Sequence, residues 1–166
     1  GGLGGRQFVV CAGARKAPLV ATLLAAKEEA GFQIWHHFDE RTAAFFALGL
    51  AKESSLPTAV VTTSGTAVAE LLPATVEAYY AGIPLVLLTA DRPKRYRGSG
   101  APQAIEQAGI FGNYAPIAVD AEDRSRLEMM ALWKMDSPLH LNLCFEEPSP
   151  DAVVKQLDLS HAPALG

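Results

Sequence analysis

The sequence predicts an α/β fold in which an open parallel sheet of about six strands carries helices on both faces, as in Rossmann-like domains. Short apolar segments rich in β-branched residues alternate along the chain with longer helical segments, which is the order that parallel sheets require. The segments at 58–62 and 85–88 do not alternate between apolar and polar residues, as expected of strands buried on both faces. Residues 6–148 are therefore predicted to form one domain and residues 149–166 a linker.

The individual elements follow from the same pattern. Strands are predicted at 7–12, 33–38, 58–63, 84–90, 116–119 and 139–145. Helices are predicted at 16–30, 41–54, 66–81 and 121–133, with a short turn near 103–107. Residues 41–51 are apolar on nearly all sides, so a single buried face does not account for that helix. The helix at 66–81 contains Pro73, which removes one backbone hydrogen bond and is expected to kink it.

The composition is that of an apolar globular protein, because 49% of the 166 residues are hydrophobic and 19% are charged. The net charge of -4 and the lack of a basic block argue against a nucleic-acid partner. No apolar segment reaches the length of a membrane span, and the glycine-rich start lacks the apolar core of a signal peptide. These features predict a cytoplasmic protein in which Cys11 and Cys144 are buried, reduced thiols within strands.

Distinctive segments follow four of the predicted strands. In order they are Gly13-Ala14-Arg15, Asp39-Glu40-Arg41, Ser64-Gly65-Thr66 and Asp91-Arg92-Pro93. Because the carboxyl ends of parallel strands share one edge of the sheet, these segments are expected to line one rim, where open α/β sheets bind ligands. Arginines, a carboxylate and a glycine-opened helix start on one rim suit an anionic small molecule.

Each segment also has a simpler structural interpretation when it is taken alone. Asp39 fits a helix cap, and Glu40 in a first turn is favoured by the helix dipole. Ser64 fits a cap for the next helix, Asp91 fits the start of a turn before Pro93, and isolated arginines fit solvated surface charges. The interpretation as a binding rim depends on the four segments occurring together.

The sequence predicts no metal ligand within this chain. No group of histidine, cysteine or acidic residues has the spacing of a metal site, and His36 and His37 are adjacent in a strand and therefore point to opposite faces. No Ser-His-Asp arrangement and no Walker loop are found either.

Five motifs occur in order along the chain: DERTAAFFALGLAK at 39–52, TTSGTA at 62–67, LTADRP at 88–93, GAPQAIEQ at 100–107 and SPLHLNL at 137–143. Together they resemble the N-terminal pyrimidine-binding domain of thiamine-diphosphate enzymes, and among these the family of 2-succinyl-5-enolpyruvyl-6-hydroxy-3-cyclohexene-1-carboxylate (SEPHCHC) synthases. The resemblance covers most of residues 8–148, and its specificity lies in the ordered combination.

The resemblance implies a thiamine-diphosphate-dependent transferase (a carboligase) of menaquinone biosynthesis, which decarboxylates 2-oxoglutarate and adds the resulting carbanion to isochorismate. Glu40 is then the catalytic residue, because the family's glutamate bonds a ring nitrogen of the cofactor's pyrimidine and promotes its reactive tautomer. The residues that match the cofactor loop are Ser64, Gly65 and Thr66. The residues that match the isochorismate side are Arg15, Arg92 and Gln103.

The resemblance also implies contributions from outside this sequence. The family's diphosphate- and Mg²⁺-binding domain lies further along the polypeptide, and the linker at 149–166 would lead toward a central domain. The pyrimidine domain meets the diphosphate domain of a partner subunit, so a homo-oligomer, a dimer or tetramer, is expected. The 166-residue chain is expected to be inactive by itself.

The chain departs from the family pattern at two positions. Ala14 stands where the family has serine, and Pro102 stands where it has asparagine. Both positions belong to the substrate end, whereas Glu40 matches. Two other functions stay open: the pyrimidine domain or a split subunit of another thiamine-diphosphate decarboxylase or carboligase, and a non-catalytic anion-binding α/β domain in which Glu40 is only a first-turn carboxylate.

Overall fold

The computed structural model describes residues 6–13, 16–27 and 31–147 of the chain. Its strands are β1 (Gln7–Cys11), β2 (Gln33–His37), β3 (Thr58–Thr62), β4 (Leu85–Asp91), β5 (Ile117–Ala121) and β6 (Leu139–Cys144). Its helices are α1 (Ala17–Ala25), α2 (Glu40–Ser54), α3 (Thr66–Ala69) and α4 (Leu72–Ala81), with 3₁₀ helices at Lys94–Tyr96, Gly112–Tyr114 and Arg124–Leu132. The strands form one parallel sheet in the order β2-β1-β3-β4-β6-β5, so the predicted fold class is confirmed. The predicted linker at 149–166 and the last residue of the predicted domain lie outside the described residues.

An apolar core lies on each face of the sheet. The first core includes Val9 and Val60 and is covered by α2 and α4, whereas the second core includes Val10 and Val61 and is covered by α1 and the 3₁₀ helix Arg124–Leu132. Neighbouring residues of one strand enter opposite cores because side chains alternate across a strand. All residues of β3 and β4 are buried, so exposed polar chemistry is confined to the ends of the central strands.

Helix α2 reaches the sheet through alanines. Its buried residues are Ala43, Ala44, Ala47 and Ala51. These small side chains allow close packing of α2 on β1 and β3. Phe46 packs on the rings of Trp35 and His37 in β2, at centroid distances of 5.4 and 4.8 Å, whereas Phe45 is 43% exposed. The apolar residues expected all round the helix at 41–51 therefore have different environments: the alanines pack on the sheet, whereas Phe45 is exposed.

The helix predicted at 66–81 is divided into α3 and α4. Pro73 lies in the first turn of α4, where its missing N–H group needs no helical partner. The expected disruption is confirmed, but the proline begins a second helix instead of kinking a continuous one. Among the described residues, none of the helices is long and apolar enough to cross a membrane.

The prediction of an α-helix at 121–133 is wrong. Ala121 is the last residue of β5, and the segment that follows forms the 3₁₀ helix Arg124–Leu132. Leu127, Met130 and Trp133 recur at intervals of three, which is the period of a 3₁₀ helix, and all three contact the second core. The spacing of the apolar residues therefore explains the tighter helix.

Both cysteines lie in strands, and neither forms a disulfide. Cys11 is buried, whereas Cys144 at the end of β6 is half-buried, so the predicted full burial holds only for Cys11. Burial raises the pKa of each thiol to about 11. Both side chains are therefore neutral thiols near pH 7.

His140 brings an imidazole into the first core. Its ring meets Phe111 edge-on at a centroid distance of 4.7 Å, and its Nε2 lies 2.9 Å from Thr89 Oγ1. Because the Thr89 hydroxyl donates its proton to Asn142 Oδ1, His140 Nε2 is the donor to Thr89. Burial lowers the pKa of His140 to about 4, so the imidazole is neutral at pH 7.

We expect His140 to make the fold acid-sensitive. Between pH 6.5 and 4 the unfolded chain protonates this histidine and the folded chain does not, so the free energy of unfolding falls as the pH falls. In His140→Gln, which keeps a polar partner for Thr89 and does not titrate, the loss of stability between pH 7 and about 4.5 should shrink by about 2 kcal/mol. Urea denaturation at both pH values measures the difference. The substitution His36→Gln, at an exposed histidine, is the matched control. If His140→Gln lost as much stability between pH 7 and about 4.5 as the unmodified chain, His140 would not be the source of the acid sensitivity.

Candidate functional site

The strand order brings the predicted rim segments to one edge of the sheet. Along the carboxyl edge, Glu40 follows β2, Gly13 lies beyond β1, and the Ser64-Gly65 turn lies beyond β3. From β1 the chain moves outward to β2, whereas from β3 it moves the opposite way to β4. The gap between β1 and β3 is therefore a topological switch point, the usual place for a ligand in an open α/β sheet.

Asp39 and Glu40 have separate roles at the start of α2. Asp39 is the N-cap, since its Oδ1 accepts hydrogen bonds from Thr42 N at 2.7 Å and from Thr42 Oγ1 at 2.6 Å. These bonds lower the pKa of Asp39. Glu40 is the first residue of the helix and is half-buried, and its carboxylate has no hydrogen-bond partner within the described ranges. The capping interpretation is therefore correct for Asp39 and leaves the Glu40 carboxylate available.

Gly13 allows the loop after β1 to touch the loop after β3. A Cβ atom at position 13 would lie 2.5 Å from Thr63 Cβ, closer than real Cβ atoms approach. The next residue, Ser64, is buried, and its hydroxyl has no hydrogen-bond partner in the described part of the chain. Ser64 does not cap α3, because Gly65 is the N-cap and makes no side-chain bond. A buried hydroxyl without a partner at a ligand edge is available to a ligand.

Gly65, like Gly13, allows a close approach of two loops, in this case to Gln103. A Cβ atom on Gly65 would lie 2.8 Å from Gln103 Cγ and 3.0 Å from its backbone oxygen. Gln103 itself has a φ of 57°, a left-handed conformation that is uncommon outside glycine and concentrated at functional sites. The structure thus brings a residue from the predicted cofactor loop into contact with one from the predicted substrate set.

Arg92 lies next to the contact between Gly65 and Gln103, and its guanidinium is bonded to other residues of this chain. Its Nε and Nη2 donate to the Pro102 carbonyl at 3.2 and 2.8 Å, and its Nη1 lies 3.8 Å from Glu147 Oε2. Arg92 therefore holds the turn that carries Gln103. Arg15, the remaining predicted substrate residue, lies outside the described residues.

A second polar cluster closes the edge at β4, β5 and β6. Arg97 donates to Asp120 at 2.7 and 2.8 Å and to Asp91 at 2.9 Å. Asn142 donates to Asp91 at 3.0 Å and to Asp120 at 2.9 Å, and Lys94 Nζ lies 3.3 Å from Asp120. The bonds from Arg97 hold the pKa of the Asp120 carboxyl well below its usual range. Asp91 is therefore an ion-pair anchor and not simply the start of a turn.

This cluster does not suit a metal ion. Asp91, Asp120 and Cys144 could offer ligand atoms within 4.8 Å of one another. The guanidinium of Arg97 already donates to both carboxylates, and the Cys144 thiol, with a pKa raised to about 11 by burial, does not readily give the thiolate that metals require. The cluster is an internal salt bridge.

Lys16 is a buried cation that the sequence did not indicate. Its side chain is 2% exposed, and its Nζ has no hydrogen-bond partner among the described residues. Burial lowers its pKa, and the negative charge of the neighbouring Glu40 opposes that effect. An open cavity of about 470 Å³ lies beside it between α1 and the ends of β1 and β2. Lys16 adds a positive charge near Glu40 when it is protonated.

Sequence reasoning also missed Arg97, Asp120 and Asn142. The local signals were the motif at 137–143, which contains Asn142, and the alternation of polar and apolar residues in β6, which places His140 and Asn142 on the same face of the sheet as the first core. The other partners are separated from Asn142 by more than twenty residues, so only the fold shows that they meet.

Comparisons with known proteins agree with the motifs. A family model described as "Thiamine pyrophosphate enzyme, N-terminal TPP binding domain" matches residues 3–110. A SEPHCHC synthase of Bdellovibrio bacteriovorus is 50% identical over 98% of the chain, and one of Akkermansia muciniphila is 56% identical over 87% of it. A third, of Chloroflexus aurantiacus, is 46% identical over 87% of the chain. The chain spans 30%, 27% and 26% of the lengths of these relatives.

Replacing Lys16 should stabilise the fold. Lys16→Met keeps the apolar stem and removes a buried ammonium that has no hydrogen-bond partner among the described residues, so the free energy of unfolding at pH 7 should rise by about 1–2 kcal/mol. In the unmodified chain stability should rise with pH toward the ordinary lysine pKa, because the unfolded chain holds a proton that the folded chain has released. Urea denaturation at pH 7 and at alkaline pH tests both effects. The exposed Lys27→Met is the control, and a destabilised Lys16→Met would show that the ammonium has a favourable partner.

Proposed function

Because the chain belongs to the thiamine pyrophosphate enzyme family through its N-terminal TPP-binding domain, we propose that it forms the pyrimidine-binding part of a SEPHCHC synthase. The observation that carries the proposal is the Glu40 carboxylate, which has no hydrogen-bond partner among the described residues and lies at the switch-point edge of a chain 50% identical to a synthase of that name. The proposed activity is a step of menaquinone biosynthesis. It consists of decarboxylation of 2-oxoglutarate and addition of the carbanion to isochorismate.

The residues at the edge suit the pyrimidine end of thiamine diphosphate. An aminopyrimidine ring carries nitrogen atoms that donate and accept hydrogen bonds, and Glu40 and the orphaned Ser64 hydroxyl are polar groups available to it. Gly65, which has no side chain, and Thr66 complete the cofactor loop. The diphosphate and Mg²⁺ need a different donor set, because the acidic cluster at Asp91 is already compensated by Arg97. We infer that those ligands come from outside the described residues.

Thiamine diphosphate, when bound, supplies the centre on which a 2-oxo acid loses carbon dioxide. In this proposal Glu40 shares a proton with a ring nitrogen of the pyrimidine and thereby sets the protonation state of the ring. The rigid junction between β2 and α2 fixes the direction of that carboxylate, since Asp39 caps the helix independently. The loop at Ser64 and Gly65 forms the surface against which the ring rests.

The substrate side of the proposed site consists of Arg15, Arg92 and Gln103. Two donors of Arg92 hold the Pro102 carbonyl, and Nη1 forms a 3.8 Å ion pair with the exposed carboxylate of Glu147. That nitrogen is the part of the guanidinium suited to a carboxylate of isochorismate. Gln103 directly follows Pro102 and has a left-handed backbone conformation.

The proposal includes a cytoplasmic homo-oligomer, a dimer or tetramer. The free thiols of Cys11 and Cys144 are in keeping with a reducing compartment. Exposed aromatic side chains support an interface around β2 and α2, since Phe38 is 98% exposed, Phe45 43% and Trp35 41%.

A second candidate is another thiamine-diphosphate decarboxylase or carboligase. The observation that favours it is the pair Ala14 and Pro102, which removes a hydroxyl and a side-chain amide from the substrate end of the family pattern. Carbon dioxide release from 2-oxoglutarate and from pyruvate discriminates the two, because the SEPHCHC synthase function predicts a clear preference for 2-oxoglutarate.

The decisive substitution for the proposed function is Glu40→Gln in the complete enzyme. Turnover should fall by roughly 100-fold or more, because the amide cannot exchange a proton with the ring, while the dissociation constant for thiamine diphosphate changes much less. Steady-state assays and calorimetric titration give the two numbers. Asp39→Asn keeps a good N-cap and removes the neighbouring charge, so it should retain activity. Near-normal turnover in Glu40→Gln would falsify the assignment.

A further inference from the structure

Gln107 occupies a fully buried position between the cofactor loop and the sheet. It lies four residues beyond Gln103, outside any helix, and its exposed fraction is 0%. Its Oε1 accepts a hydrogen bond from Gly65 N at 3.1 Å. Its Nε2 donates to the Ala90 carbonyl at 3.0 Å and to Asn142 Oδ1 at 2.7 Å. One amide thus joins the loop after β3 to the ends of β4 and β6.

The bond to Gly65 is made at a residue with an unusual backbone conformation. Gly65 has a φ of 84° and a ψ of -143°, a conformation close to the region that glycine alone occupies. Its buried N–H group lies beyond the end of β3, and within residues 6–13, 16–27 and 31–147 Gln107 is its hydrogen-bond partner. On its other side the loop is held by the close contact with Gln103. Gly65 is therefore clamped between two glutamines from one short segment.

Gln107 is held in turn by the network of hydrogen bonds at the ends of β4, β5 and β6. Asn142, which receives the bond from Gln107, also donates to Asp91 and Asp120, and Arg97 bonds both carboxylates. A displacement of Gln107 would leave Asn142 and the Ala90 carbonyl each short of one bond inside the protein. Such unsatisfied groups are costly, so the position of Gln107 is defined by the sheet and not by the loop it supports.

We propose that Gln107 is a positioning residue of the cofactor site, which holds the Ser64-Gly65-Thr66 loop at the height and angle required by the pyrimidine ring. The proposal rests on the proposed function of that loop. Gln107 itself touches neither cofactor nor substrate. It acts through the backbone of Gly65, and the orphaned hydroxyl of Ser64 is directed by that backbone.

The test combines hydrogen exchange with cofactor binding. Gln107→Met preserves the length of the side chain and removes all three bonds, whereas Gln107→Glu keeps an acceptor for Gly65 N. In the 166-residue chain, exchange of the Gly65 amide should accelerate at least tenfold in Gln107→Met relative to the Val61 amide of β3, and less in Gln107→Glu. In the complete enzyme, the affinity for thiamine diphosphate should fall at least tenfold in Gln107→Met and recover in part in Gln107→Glu.

Thr75→Val is the matched control, because the buried Thr75 hydroxyl bonds only the Leu71 carbonyl within a helix and has no link to Gly65. It should leave Gly65 exchange and cofactor affinity unchanged. If Gln107→Met does not fold, the comparison of Gln107→Glu with the unmodified protein decides the question. Unchanged Gly65 exchange in both variants, or unchanged cofactor affinity with accelerated exchange, would overturn the proposal. If the unmodified complete protein does not bind thiamine diphosphate, the proposed function fails, and the exchange result separately decides whether Gln107 holds the loop.

Discussion

The side-chain amide of Asn142 is the point on which the carboxyl edge of this sheet depends. Its oxygen accepts from Thr89 and Gln107, and its nitrogen donates to Asp91 and Asp120, so all of its main hydrogen-bonding positions are used. The two carboxylates are tolerated because Arg97 bonds both of them. Removing any member would leave a buried polar group unpaired, and for this reason the ends of β4, β5 and β6 act as one unit.

This constraint explains how an apolar sheet carries a polar site. The central strands are buried on both faces, so their side chains contribute cores and offer no chemistry to solvent. Polar groups collect where the strands end, and glycines at 13 and 65 allow neighbouring loops to approach within van der Waals contact. The result is a rim in which Glu40 and Ser64 keep polar atoms without hydrogen-bond partners among the described residues.

The fold was largely predictable from sequence, because its strands are continuous apolar segments and its second helix has a clear cap at Asp39. The failures have local physical causes. The segment 121–133 carries apolar residues at intervals of three, and its helix is accordingly a 3₁₀ helix. At the site, Glu40, Ser64, Gly65 and Gln103 were identifiable from motifs. Gln107 and Asn142 also lie within quoted motifs, but their roles, like those of Arg97 and Asp120, depend on partners distant in sequence and are visible only in the fold. Lys16 was missed because a lysine ahead of a helix is ordinarily solvated.

The central claim is that this chain supplies the pyrimidine side of a thiamine-diphosphate site through Glu40. A crystal structure of the complete enzyme with bound thiamine diphosphate tests it most directly. We predict that a carboxylate oxygen of Glu40 lies about 2.6–3.0 Å from a pyrimidine ring nitrogen, with the ring against the turn at Ser64 and Gly65. A pyrimidine bound elsewhere, with Glu40 facing solvent, would contradict the account.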